Sequence, residues 1–301
     1  MSVPAAYIVV ILIWSTTPLG IQWSGVEVGY EFGVALRMII GLFALMIIAR
    51  LWKLAVPWDK TARRVYLTSG LSLFLAMSFV YWAAQYIPSG WIAVIFGLSP
   101  VLTSLFATLI LRENAFTPGR ILGMTMGLCG LAVVFVEGLS ISTAALSGVA
   151  AVTFSAISQS LGAVVIRKLK PRMHAISITI GSLVVAIPLF IANAFYSSGW
   201  PTAWPMQSVM AIVYLAVFGT AMGFPLYYYL LKNVRVERVA LITLITPITA
   251  LLLGAAINDE VIGTQVWLGT ALILGGLAIY EYGKYLPFKK KWSIRWNQRP
   301  L

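Results

Sequence analysis

Hydrophobic residues along this chain fall into runs of transmembrane length, at 4–24, 31–52, 65–85, 88–111, 118–136, 145–166, 174–196, 208–231, 238–257 and 265–282. Charge, Pro, Gly or Ser-rich punctuation separates each run from the next. A hydrocarbon core roughly 30 Å thick takes about 20 helical residues at about 1.5 Å each, so each run predicts one crossing helix. The pattern therefore predicts an all-α polytopic membrane protein with ten transmembrane helices and short connections.

Composition excludes the soluble class. At 301 residues the chain would suit one or two soluble domains, but 60% of it is hydrophobic and only 10% charged, with a mean hydropathy of +0.92. Before Trp14 there is no Lys or Arg to make a positive leader, and no A-x-A cleavage pattern follows, so the first run is expected to stay in the protein.

A net charge of +12 raises the question of nucleic acid, and the placement of the cations answers it. They sit in short clusters: Arg50 to Arg64, Arg112 and Arg120, Arg167 to Arg172, Lys232 to Arg238, and a tail from Lys284 to Arg299. If both termini are cytoplasmic, these clusters hold 20 of the 21 Lys and Arg, and no outer loop has any. The partners implied are the lipid bilayer and a small-molecule substrate, with no nucleic acid; a homodimer is compatible with the pattern.

The two halves resemble each other. Leu98-Ser99-Pro100 matches Ile245-Thr246-Pro247, and thirteen residues beyond each Pro comes Glu113 or Glu260. The same offset of 147 pairs Tyr81-Trp82 with Tyr228-Tyr229 and Ala93 with Ala240; with one deletion, Gly123 and Gly130 match Gly269 and Gly276. Five helices per half is odd, so the second copy must enter the membrane from the opposite side. The expected organisation is a first repeat at 1–140, a second, inverted repeat at 141–287 and a basic cytoplasmic tail at 288–301. Two inverted five-helix repeats around one central site is a common plan of secondary transporters.

Candidate site residues follow from polar and aromatic groups that lipid would not reward. Ser78, Tyr81, Trp82 and Gln85 share one face of the third helix, and Pro225, Tyr228, Tyr229 and Lys232 are their counterparts in the eighth. Lining a cavity, they would offer stacking faces and hydrogen bonds to an amphipathic solute. The competing reading is an interfacial aromatic belt, favoured for Gln85, Tyr86 and Lys232 and level with the cavity for the other aromatics.

Pro100 and Pro247 each leave the carbonyl four residues earlier, Phe96 or Thr243, without its amide partner, and Pro18 does the same to Trp14. Such carbonyls accept cations or ammonium groups; the plainer account is that Pro18, Pro100, Pro225 and Pro247 are kinks or hinges. Ser99 and Thr246 precede two of these prolines and join the candidates. Thr17, in Ser15-Thr16-Thr17-Pro18, and Gln159, beside Ser155, Ser158 and Ser160, either glue helices together or meet substrate. Gly119, Gly123 and Gly127 have the spacing of close helix packing. Arg37 lies roughly 9 Å below the outer surface. It would receive a carboxylate or phosphate, or else snorkel outward or pair with Glu31.

There is no Gly-x-x-x-x-Gly-Lys-Ser/Thr loop, and a single His174 and a single Cys129 make no metal cluster or Cys-His pair. No cofactor and no enzymatic activity are expected.

From Ala6 to Gly283 the chain resembles the EamA-type transporters of the drug/metabolite transporter superfamily. The resemblance rests on Trp14 with Pro18, Arg37, Ser99-Pro100 with Leu111-Arg112-Glu113, and Thr246-Pro247 with Asp259-Glu260 followed by Gly269, Gly275 and Gly276. It implies a bacterial inner-membrane exporter of metabolites, often amino acids, with a cavity lined by the third, fourth, eighth and ninth helices. The alternative on the same fold is an exchanger of phosphorylated sugars or organic anions; a membrane enzyme or scaffold is the remaining class.

Overall fold

A computed structural model describes residues 3–112, 118–197, 200–223, 225–226, 229–230 and 236–282. At 138–141, 236–241, 243–244 and 281 only the backbone is described. Regular structure among the described residues is entirely helical. In chain order the helices are α1 (Val3–Gly25), α2 (Tyr30–Leu51), α3 (Lys60–Ala83), α4 (Ser89–Phe96), α5 (Ser99–Leu111), α6 (Pro118–Ile141), α7 (Thr143–Leu169), α8 (Ala175–Ser197) and α9 (Met206–Tyr214). A π-helical stretch, Leu215–Met222, continues α9, and α10 (Val236–Asn258) and α11 (Thr264–Tyr282) follow.

Among the described residues, seven stretches are long and apolar enough to cross a membrane, with α4 and α5 counted together as 89–111. Shorter apolar helical stretches occupy 206–222, 245–258 and 264–280. Side chains of the size of Leu12, Phe43, Ile47, Leu109 and Val136 remain exposed, as suits helices whose outer surface meets lipid.

Local chemistry sets several boundaries. α3 begins five residues before the apolar run because Asp59 caps it, accepting from the amides of Thr61 (3.0 Å) and Ala62 (3.4 Å). Ser142 caps α7 through the amide of Ala145 at 3.0 Å. The fourth apolar run is not one rod: α4 ends at Phe96, the Gly97 amide bonds back to Ala93 and Val94, and α5 restarts with Pro100 in its first turn. A proline cannot supply the amide that would continue α4, but it suits a first helical turn. Pro247, by contrast, lies inside the continuous α10.

Helices approach closely where side chains are small. The Cα of Gly123 faces the carbonyl of Gly276, and a Cβ on Gly276 would stand 2.6 Å from the Gly123 oxygen. One step along, a Cβ on Gly130 would stand 2.6 Å from the Gly269 oxygen. Numbers rise on one helix as they fall on the other, so α6 and α11 are antiparallel. α3 and α7 also run antiparallel, with Ser72 donating to the Ser158 carbonyl (2.8 Å) and Ser155 donating to that of Ala76 (2.6 Å). α1 and α10 run parallel, joined by Ser15 with Thr249 and by Trp23 with Asn258 (3.0 Å). Further pairs in contact are α3 with α8, α2 with α8, α5 with α7, α4 with α10, α1 with α9 and α2 with the π-helical stretch.

Candidate functional site

Arg37 is carried into the interior by α2 and is only 3% exposed. Its Nε donates to Thr220 Oγ1 at 3.1 Å, and its Nη1 donates to the Tyr81 hydroxyl at 3.3 Å. Of the two directions open to it in the sequence, the side chain takes the inward one, toward α3 and the π-helical stretch. Among the described residues no carboxylate pairs with it. Gly219 supplies the room: a Cβ there would stand 3.0 Å from Nη2.

Other polar contacts continue along the same helices. Thr16 on α1 shares a hydrogen bond with Tyr214 of α9 at 2.5 Å, and the Tyr214 ring lies 5.2 Å from that of Phe218. Ser15 on α1 bonds Thr249 of α10. Helices α1, α2, α3, α9 and α10 thus meet through hydroxyl groups and one guanidinium. A π-helical turn is an uncommon geometry found repeatedly at functional sites, and here it presents Thr220 to the cation.

The candidate residues fall in different places. Tyr81 is buried beside Arg37, whereas Trp82 is 37% exposed and packs on Tyr86 with ring centroids 4.8 Å apart. The polar stripe of the third helix is therefore divided between two surroundings. Trp14 is half-buried against a cluster of Ala6, Val10, Leu230 and Ile242. Thr17 donates to the Ile13 carbonyl at 2.6 Å, so its hydroxyl serves the helix that Pro18 interrupts. Ser78 and Ser99 have buried hydroxyls with no hydrogen-bond partner among the described residues. The carbonyl of Ser99 accepts from Ser160 at 3.3 Å.

Gln159 and Phe96 are half-buried, Thr246 is buried and Tyr229 is exposed. Pro18 and Pro247 are buried, while Pro100 and Pro225 are half-buried. Tyr228 and the side chain of Thr243 lie outside the described residues, as does Glu113. A separate cavity of about 110 Å³, bordered by Leu98, Leu102, Leu128 and Ala156, is almost wholly apolar and holds none of the candidates.

Thr220 and Gly219 were not legible as site residues. The repeat offset sets Thr220 against Leu73, so the comparison of halves gives no polar match, and no spacing rule marks a π-helical turn.

The described helices thus present apolar side chains outward and bring several hydroxyls and one guanidinium into the interior. The model of the EamA-like transporter family matches residues 3–136 and again 146–281. The chain belongs to that family. It is 26% identical over 254 residues to an uncharacterized transporter, YvbV, of Bacillus subtilis (strain 168), covering 81% of this chain and 80% of that one. It is 24% identical over 288 residues to a protein of Escherichia coli (strain K12) named as a probable amino-acid metabolite efflux pump, covering 92% and 93%. An uncharacterized inner membrane transporter, YedA, of the same strain is 25% identical over 202 residues, 67% of this chain and 65% of the relative. A solved structure titled only as a crystal structure of protein superposes with a TM-score of 0.66, covering 93% of this chain and 97% of that one at 21% identity, which is a likeness of fold.

Proposed function

We propose that this protein is a secondary transporter of the bacterial inner membrane, with ten spans in two inverted five-helix repeats, exporting amino acids or similar amphipathic metabolites by alternating access. The observation that carries the reading is the crossed packing of α6 and α11. Gly123 meets Gly276, the counterpart of Gly130, and Gly130 meets Gly269, the counterpart of Gly123. Crossed pairs of this kind are what a two-fold axis produces.

The remaining contacts support the same axis. Exchanging each span for the one five places along turns α3 on α7 into α9 on α1, α3 on α8 into the π-helical stretch on α2, and α5 on α7 into α10 on α1. The pairs α4 with α10, α6 with α11 and α2 with α8 turn into themselves. Two similar bundles meeting in this way have two equivalent arrangements, one open to each side, and rocking between them moves a solute. The amino-acid class draws on the name of the Escherichia coli relative and on the hydroxyl-rich interior.

The test is counterflow in proteoliposomes with a panel of amino acids and related metabolites, beside export from overexpressing cells. At least one amphipathic solute is expected to move, and a panel that stays put ends the transport reading. The inverted topology predicts that periplasmic labelling of intact cells reaches neither Lys170 nor Lys290; labelling of either one overturns it.

A further inference from the structure

Among the described residues, Arg37 is a cation paired with no carboxylate. It is 3% exposed, and both of its hydrogen-bond acceptors, Thr220 at 3.1 Å and Tyr81 at 3.3 Å, are neutral hydroxyls. A guanidinium has five N–H donors, so these two bonds leave part of the fork unfilled. Two hydroxyls do not replace the hydration of a charge inside a membrane-spanning bundle, and a buried cation is ordinarily matched by an anion. No carboxylate supplies that anion among the described residues. Gly219, bare beside Nη2, keeps side-chain bulk away from the fork.

We propose that Arg37 is the subsite that receives the oxyanion end of the transported solute, with Tyr81 and Thr220 as the positioning residues that aim it. This rests on the transporter reading above and names the chemistry of its substrate: a solute carrying a carboxylate or a phosphate. The planar fork binds either group through two parallel N–H bonds, which an ammonium cannot do. The solute brings an oxyanion and the protein supplies the donors, so the guanidinium is paired when the site is occupied and, among the described residues, unpaired when it is empty. A zwitterionic amino acid satisfies this with its carboxylate; a phosphorylated sugar would satisfy it with its phosphate and would make the protein an anion exchanger.

The experiment measures binding and counterflow by the full chain in proteoliposomes with three probes: L-phenylalanine, L-phenylalaninamide and glucose 6-phosphate. The amide keeps the ring and the amine and lacks only the carboxylate. Phenylalanine is expected to bind at least about tenfold better than its amide, the scale of a lost charge-assisted pair. Arg37→Gln should bring phenylalanine down to the level of its amide. Arg37→Lys, which keeps the charge, should still lose most of the preference and serves if the Gln variant does not fold. Tyr81→Phe and Thr220→Val should narrow the preference for phenylalanine over its amide by a smaller factor than Arg37→Gln.

Binding of glucose 6-phosphate that depends on Arg37, with none of phenylalanine, would keep the subsite and end the amino-acid reading. Transport of phenylalanine and its amide alike, unaffected by Arg37→Gln, would overturn the subsite and leave the transporter standing. Loss of folding stability in the Arg37 variants with acid and amide weakened equally would make Arg37 a structural tie and overturn the proposal.

Discussion

The carboxylate of Glu260 accepts a hydrogen bond from the backbone amide of Ser89 at 3.0 Å, 171 positions away in sequence. Its second oxygen takes the amide of Gly90 at 3.3 Å, so the side chain caps α4 from beyond the end of α10. Asn258 donates to the same carboxylate at 3.1 Å and to Gln22 at 2.9 Å, while Trp23 donates to Asn258 at 3.0 Å. Asp259, with φ of 51°, reverses the chain so that Glu260 folds back over Gly254. Ends of α1, α4 and α10 are thereby tied by one acidic group set against the positive end of a helix.

Replacing Glu260 by Gln should cost about 1–2 kcal/mol, because one carboxylate oxygen becomes an NH₂ that faces an amide donor, leaving Ser89 N–H or Gly90 N–H without an acceptor. The exposed Glu27→Gln should change stability by less than about 0.5 kcal/mol. Thermal unfolding of the two purified variants in detergent separates these outcomes.

Neighbouring glycines on α11 should differ sharply. A Cβ on Gly276 would stand 2.6 Å from the Gly123 carbonyl oxygen, against backbone that cannot give way, whereas at Gly275 the nearest atom is the flexible Met126 methyl at 3.5 Å. Gly276→Ala should lose about 1–3 kcal/mol, the usual range of overpacking, and Gly275→Ala should stay near wild type. Yield of monodisperse protein and melting temperature read the difference.

Tyr81→Phe and Thr220→Val each remove one acceptor from the same guanidinium and nearly preserve shape. Each should destabilise by about 1–2 kcal/mol, toward the range of bonds to charged groups. Because both act on Arg37, the double variant should depart from the sum by at least about 0.5 kcal/mol in a double-mutant cycle. Strict additivity would mean that the guanidinium does not couple them.

Ser155 donates to the Ala76 carbonyl at 2.6 Å and is fully buried between α7 and α3. Interhelical hydrogen bonds within membranes average only about 0.6 kcal/mol, so Ser155→Ala should be mild. Ser155→Leu should cost about 1–3 kcal/mol by overpacking the same seam. Comparing melting temperatures of the two variants tests whether size or hydrogen bonding governs this contact.

Which segments are apolar enough to suit a membrane was legible from residue order alone. Length and hydropathy of an apolar run follow from bilayer thickness, which acts on each segment separately, so most runs foresee a described helix within a few residues, while the fourth is split into α4 and α5. The EamA-like membership was also written in local pairs such as Ser99-Pro100 and Thr246-Pro247, later matched by the family model over both stretches.

Which polar groups meet was a question of tertiary structure. Arg37, Tyr81 and Thr220 come from three separate helical segments, and only packing could turn the cation inward rather than toward headgroups. Tyr81 and Trp82 are adjacent in sequence, yet one is buried and the other 37% exposed, because successive residues on a helix point about 100° apart and neighbouring helices decide which direction is inside. Pro100 and Pro247 look equivalent in the two halves, yet the helix breaks before the first and continues through the second. The sequence by itself determined which segments are apolar and long enough to suit a membrane, and that the two halves carry matching residues, since hydropathy is a property of each segment. Only the tertiary structure decided which side chains share an interior, since that depends on how separate helices rotate and approach.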